Sequence, residues 1–350
     1  MASFIERDVR NLIRSEHLHF FSNKKILVTG ASGLLGNYFR AFFNSIQGED
    51  GADLEVYYQT KTGFFIEPNQ PKKNVIVADL SEVTSDFYKA LPNFDIIIHA
   101  ATYGQPSKFL SEKLQTISLN SGVMLNLAGR LQEKGVFLFL SSSEVYSGLN
   151  RAPFFESEIG TTDPSHSRAA YIESKRLGET IMNSLALDFS GIRTHSARLA
   201  LAYGPGFRET DKRVLNELIM QAIVSKEIKL KDSGQAKRTY CYITDVLEML
   251  IGIIVKGQHQ VYNVGGTSRT TIVDLAKVIS NLTGSQLVVP EVIDVSDSGA
   301  PQEVWMNLDR IQGLLGKESF VGLEDGLNRT ISWFRQFKSQ LNKDGDIARA

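Results

Sequence analysis

The chain has 350 residues, is 42% hydrophobic and 22% charged, and carries a formal net charge of −1, the balance of an ordinary globular protein with one large domain or two unequal ones. With no basic block, sequence-independent binding to nucleic acid is excluded, and no apolar run approaches the roughly 20 residues that a membrane span needs. Cys241 is the only cysteine, so an intrachain disulfide and a cysteine-based zinc site are both ruled out, and a reducing, cytoplasmic compartment is expected.

Residues 1–22 carry Glu6, Arg7, Asp8, Arg10, Arg14 and Glu16 among apolar positions, which denies them the apolar core of a signal peptide. They read as one amphipathic helical extension ahead of the main fold. His17 and His19 in it read as surface histidines, and no metal site is expected. Residues 25–29 (KILVT) form a strand-like run. It passes at once into Thr29-Gly30-Ala31-Ser32-Gly33-Leu34-Leu35-Gly36 and then into a helical pattern over 34–43. In such a loop one glycine makes the tight turn, one lets backbone N–H groups approach a pyrophosphate, and one lets helix and strand pack closely. The pyrophosphate then lies at the positive end of the helix. Gly30, Ser32, Gly33, Leu34, Leu35 and Gly36 are therefore the expected dinucleotide contacts.

Further strands are expected at 54–58, 74–78, 95–99 and 136–140, with helices at 82–91 and 114–134. The second strand ends in Gln59-Thr60-Lys61, without the carboxylate that would bind the adenosine ribose of NAD. Lys61 facing a 2′-phosphate would favour NADP; as a solvated loop lysine, the reading preferred here, it leaves NAD as the expected cofactor. Asp79 and Leu80, after the third strand, stand where adenine would be contacted, although Asp79 equally suits the start of the helix from Glu82.

A long helix is expected at 171–188 and a strand at 192–199. Strands alternating with helices predict an α/β fold with a doubly wound parallel sheet, covered on both faces. Beyond Tyr203 the pattern loosens into a helix at 214–224, a strand at 228–230, the segment RTYCYIT (238–244), a helix at 245–256, a strand at 261–264 and helices at 271–283 and 324–338. The simplest organisation is a Rossmann domain over 23–200, to which 244–265 returns. A smaller C-terminal substrate lobe takes 201–243 and 266–341, and 342–350 form a tail.

Tyr171-Ile172-Glu173-Ser174-Lys175 places a phenol and an ammonium one helical turn apart, on one face. The ammonium is expected to favour the phenolate and so make Tyr171 a usable general base. Spacing alone is weak, because Tyr57 and Lys61 share it at a strand end, where residues i and i+4 do not meet. Context distinguishes Tyr171: the serine-rich end Phe139-Leu140-Ser141-Ser142-Ser143-Glu144-Val145-Tyr146 precedes it, and strand ends of a doubly wound sheet open onto the ligand crevice.

With these residues in place, the chain resembles the extended short-chain dehydrogenase/reductases that modify nucleotide sugars, the NAD-dependent epimerase/dehydratase family. The resemblance runs from about Lys24 to Phe334 and rests on TGASGLLG, DIIIHAA (95–101), SSSEVY, YIESK, RLALAYGPG (198–206) and RTYCYITD. Within the family, SRAAYIESKR (167–176), DKRVLNELIMQAI (211–223) and KRTYCYITDV look most like UDP-glucuronate decarboxylases. The resemblance implies a nucleotide sugar oxidised at C4 by NAD(P), with Ser142 holding the hydroxyl, Tyr171 as base and Lys175 as its partner. It implies Ser143 and Glu144 beside the sugar ring, Ala100 and Ala101 beside the cofactor, and Arg213 and Arg238 toward the nucleotide diphosphate or sugar. A homodimer formed through a four-helix bundle of 114–134 and 171–188 is implied too.

Departures temper the carry-over. Ser143 stands where 4,6-dehydratases of the family carry an aspartate, which disfavours dehydration. Leu201 replaces an asparagine of the R-x-x-N-x-Y-G-P motif, and the segment around Asn216 and Glu217 is altered. Decarboxylation is the leading expectation and 4-epimerisation the alternative, with a dinucleotide-binding regulator that has lost catalysis as a remote one.

Overall fold

The protein is described by a computed structural model over residues 4–48, 52–63, 73–290 and 303–344. The first elements are α1 (Phe4–Arg10), α2 (Ser15–Phe21), β1 (Lys25–Thr29), α3 (Leu34–Gly48), β2 (Glu55–Thr60), β3 (Val75–Val77), α4 (Ser85–Lys89) and β4 (Phe94–His99). Then come α5 (Pro106–Ser111), α6 (Lys113–Leu119), α7 (Gly122–Ala128), β5 (Leu131–Ser142), α8 (Ala169–Asp188), β6 (Arg193–Leu199), β7 (Leu201–Tyr203) and α9 (Val214–Met220). The chain continues through β8 (Glu227–Lys229), β9 (Lys237–Tyr242), α10 (Ile243–Lys256), β10 (Val261–Val264), β11 (Ser268–Thr271) and α11 (Ile272–Thr283). It closes with β12 (Gln286–Val288), β13 (Glu303–Val304), α12 (Asp309–Leu315) and α13 (Leu323–Asp344).

Seven strands form one parallel sheet in the order β10-β6-β5-β4-β1-β2-β3. Successive residues of its central strands bury to opposite faces: Ile26 and Val28 join one core with Ile96, Ile98 and Leu138, while Leu27, Ile97, Phe137 and Phe139 join another. A sheet apolar on both faces needs helices on both, which is the doubly wound arrangement. The strand order reverses between β1 and β4, so their carboxyl ends open a crevice there. The segment 261–264 is the edge strand β10 of this sheet. The residues after β6 build a second sheet in which β9 pairs with β7, β11 and β13.

Three expectations are corrected. The N-terminal extension is two helices, interrupted before Ser15, and it is part of the main core rather than an appendage: Ile5, Val9 and Phe21 are buried with α3 residues. His17 is buried, not a surface residue; its ring meets Phe42 edge-on at 5.5 Å, and burial pulls its pKa down. The helix expected over 114–134 is two short ones, broken at Asn120, and it ends at Ala128; from Leu131 the chain is already paired with Phe94 of β4. At the break the Asn120 side chain turns inward to Ser174 and Lys175. Helix α5 was not foreseen. Of the expected tail, 342–344 continue α13, and 345–350 lie outside the described residues, as do parts of the extension (1–3) and of the lobe (291–302).

Candidate active site

The glycine loop occupies the crevice at the end of β1. Gly30 adopts φ +65°, and a Cβ there would lie 2.7 Å from the Ala100 carbonyl oxygen. At Gly36 a Cβ would lie 2.4 Å from the Gly30 carbonyl oxygen, so only glycine lets α3 close onto the loop. Thr29 ties the two switch-point strands together: its hydroxyl accepts from the Ala100 and Ala101 N–H groups, each at 3.1 Å, and lies 2.9 Å from His99 Nδ1. Leu34 and Leu35 begin the helix, placing its N-terminal amides at the crevice. This cradle, filled by any larger residue, fits a dinucleotide's pyrophosphate.

At the end of β2, where no carboxylate stands, polar side chains are engaged with the loop and with the turn after β3. Buried Gln59 accepts from the Gly30 N–H through Oε1 (3.1 Å) and donates from Nε2 to the Ala78 carbonyl (2.7 Å), bracing the loop against β3. Lys61 pairs with Asp79 at 2.5 Å, and Asp79 also accepts from Ser81 N–H and hydroxyl. Asp79 thus caps its own turn, Leu80 is buried in the core, and Ser32 accepts from the Thr60 hydroxyl at 2.9 Å. Tyr57 donates to Glu55 at 2.8 Å, away from Lys61, so the second tyrosine and lysine pair is no pair in space.

Ser142 ends β5, and its hydroxyl accepts from the Glu144 N–H at 3.2 Å, capping a 3₁₀ turn over Ser143–Tyr146. Tyr171, in the first turn of α8, hydrogen-bonds the Ser142 side chain. Lys175 is buried below it, donating to the Leu140 carbonyl (2.6 Å) and to Asn120 Oδ1 (3.0 Å), with Nζ 5.8 Å from the Tyr171 ring centre. The structure therefore brings Ser142, Tyr171 and Lys175 together as expected from their sequence context.

Their electrostatics differ from expectation. Burial pushes the Tyr171 phenol up to about 12, with the Ser142 hydrogen bond opposing it, and pulls Lys175 down to about 7, with Glu179 opposing. Desolvation thus outweighs the pull toward phenolate expected of Lys175. With its pKa raised in this way, the phenol rests protonated.

Several contributors were not legible from motifs. Asn120 accepts from Lys175 and donates to Ser174 Oγ at 3.0 Å; the only signal was a polar Asn-Ser pair inside a helical pattern. Phe109 of α5 stacks on Tyr171 at 4.3 Å. Arg168, just before α8, donates to both carboxylate oxygens of Glu144 and lies 4.9 Å over the other aromatic partner, Phe109. Beneath the serine strand, Ser141 donates to Glu179 at 2.6 Å, and Arg198 binds Glu179 at 2.8 Å while donating to Tyr146 at 2.9 Å.

The two arginines expected toward the substrate, Arg213 and Arg238, are placed differently. Arg213 is held by buried Asp211 through several bonds of 2.5 to 3.0 Å, and its charge reaches Tyr171. Arg238 on β9 is lowered in pKa by burial, and the charges of Glu144 and Arg168 both act on it. Ser143 is half-buried at the turn. Among the described residues no group of three or more His, Cys, Asp or Glu side chains is placed to hold a metal ion, and no helix is long and apolar enough to cross a membrane.

The family described as NAD dependent epimerase/dehydratase matches residues 26–265. A UDP-glucuronic acid decarboxylase of Xenopus tropicalis is 28% identical over 316 residues, covering 89% of this chain and 72% of its own length. Among solved structures, an epimerase of Methanothermobacter thermautotrophicus superposes with a TM-score of 0.76 at 21% identity, covering 94% of this chain and 96% of its own. A UDP-glucose 4-epimerase of Thermotoga maritima, solved with UDP-glucose, gives 0.73 at 21% identity, covering 89% and 99%.

Proposed function

The chain belongs to the NAD-dependent epimerase/dehydratase family, and from that premise we propose that it oxidises a nucleotide-bound sugar acid at C4 and decarboxylates it, as a UDP-glucuronate decarboxylase does. The observation that carries this reading is the Ser142, Tyr171 and Lys175 constellation at the mouth of the glycine-loop crevice, joined to decarboxylase-like motifs over most of the chain. When bound, NAD supplies a hydride acceptor and donor and a positive charge.

Ser142 orients the C4 hydroxyl, and Tyr171 takes its proton as the C4 hydrogen leaves as hydride. Lys175, fixed by Asn120 and the Leu140 carbonyl, stabilises the phenolate as it forms. The C4 ketone is β to the C6 carboxylate, so the electron pair of the C5–C6 bond flows into an enolate as carbon dioxide departs. The enolate then takes a proton from water at C5, reduction at C4 would draw on the hydride that NAD supplies when bound, and Tyr171 gives its proton back to the C4 oxygen. Ser143, small and uncharged, offers no acid to expel water, which leaves dehydration unsupported.

The diphosphate falls to Arg213 and Arg238, and Asp79 and Leu80 stand at the adenine side. A homodimer is proposed on the same premise: Leu114, Leu125, Leu177 and Leu187 on α6, α7 and α8 are exposed, the kind of apolar surface that a helical dimer interface covers. Incubating the protein with NAD and a panel of nucleotide sugars, then weighing the products, tests the reaction. Loss of carbon dioxide from UDP-glucuronic acid supports it. An unchanged mass with a new sugar establishes the 4-epimerase instead, and loss of water a dehydratase.

A further inference from the structure

Arg168 is a cation of this crevice with one edge that the protein does not use. Its side chain is only 7% exposed, and its Nε and Nη2 both donate to Glu144. Its guanidinium plane lies over Phe109, whose ring stacks on Tyr171. Guanidinium, phenyl and phenol therefore form one column beside the reacting hydroxyl. Arginine has five N–H donors in a planar fork, and among the described residues the Nη1 edge of Arg168 donates to no protein acceptor. That edge is not sealed inside the protein, since Nη1 is not one of the buried polar atoms left without a partner, so a ligand in the crevice can replace the water that reaches it.

Charge says which ligand. Glu144 follows Ser142 by two residues, and its own N–H is bonded to the Ser142 hydroxyl. A sugar held at C4 by Ser142 thus brings a neighbouring carbon toward a carboxylate wall, which would repel an acid at that carbon. Arg168 neutralises this wall and turns its remaining edge to whatever lies beside it. A planar fork recognises a carboxylate in two bonds, which a neutral hydroxymethyl group cannot reproduce.

We propose that Arg168 is the specificity-determining residue that makes the site take a sugar acid in preference to the corresponding neutral sugar. This rests on the decarboxylase reading for the position of the sugar but not on the fate of its carboxylate.

The test is calorimetric titration of the NAD-loaded protein with UDP-glucuronic acid and with UDP-glucose. The wild type is expected to bind the uronate about tenfold more tightly. In Arg168→Gln that preference disappears while UDP-glucose affinity moves by less than about threefold, and Arg168→Lys restores part of it. A preference unchanged in Arg168→Gln, or an equal loss for both ligands, overturns the proposal. Should that variant not fold, Arg168→Lys decides by itself: keeping the charge but losing the planar fork, it should lose part of the uronate preference with UDP-glucose affinity little changed, and an unchanged preference overturns the proposal. A wild type that prefers the uronate but releases no carbon dioxide sinks the decarboxylation reading alone. Carbon dioxide release together with an Arg168→Gln protein that keeps its preference sinks this one alone.

Discussion

Replacing Asn120 by alanine probes how the protein sets the charge of its buried lysine. Lys175 has two acceptors, the Leu140 carbonyl and Asn120 Oδ1, and its pKa is already down at about 7. A hydrogen bond to a charged group is worth about 1.5–3 kcal/mol, and one pKa unit corresponds to about 1.4 kcal/mol. Losing the Asn120 acceptor favours the neutral amine, so the lysine pKa falls further, by about one to two units. The ammonium is the working form, present below the pKa and lost as pH rises through it. The alkaline limb of the kcat/KM profile should therefore move about one to two units toward acid, costing about five- to fifty-fold at neutral pH and little on the acid side. Steady-state rates across pH, with NAD affinity measured alongside, give the result. A profile that superimposes on the wild type, or a loss uniform across pH, refutes the reasoning.

Gly36→Ala should abolish NAD binding, because its Cβ would lie 2.4 Å from the Gly30 carbonyl oxygen and 2.5 Å from Ala31 Cα, forcing α3 off the loop; an unchanged dissociation constant would contradict this. Glu179→Ala strands the buried Arg198 guanidinium and should cost about 3–5 kcal/mol in urea unfolding; a cost under about 1 kcal/mol counts against a structural role. Asp8, which receives hydrogen bonds from Tyr242 at 2.5 Å and Tyr38 at 3.2 Å, has its pKa raised by burial. The folded state then binds more protons than the unfolded one between the ordinary and the raised value, so stability from this group grows as pH falls through the raised pKa and is lost above it. Asp8→Asn should lack that pH-dependent component in thermal unfolding, and an identical pH dependence would exclude Asp8 as its source.

The central sheet was legible because its strands are short apolar runs followed by turn residues, and the glycine loop because it directly follows a strand and opens a helix. Tyr171, Lys175 and Ser142 were legible from their context. Illegible were the side chains whose role depends on a partner far away in the chain. Asn120 reads as a helix residue until Lys175 is seen 55 residues on, bonded to it. Arg168 reads as a loop cation until Glu144 and Phe109 meet it, and Gln59 as a strand-end polar residue until Gly30 does. The tyrosine's electrostatics failed for a different reason: sequence shows that an ammonium is near but not that both groups are buried, and burial is the larger effect here. The N-terminal extension misled because amphipathicity does not say whether the apolar face covers solvent-side surface or, as Ile5 and Val9 do, the main core.

The central claim, that Tyr171 and its neighbours oxidise a sugar at C4, meets its most direct test in single-turnover kinetics with UDP-glucuronic acid carrying deuterium at C4. A primary isotope effect that slows turnover in the wild type is the expected result. Turnover with no isotope effect, measured with C4–H cleavage as the first chemical step, would contradict oxidation at C4 and with it the role given to Tyr171.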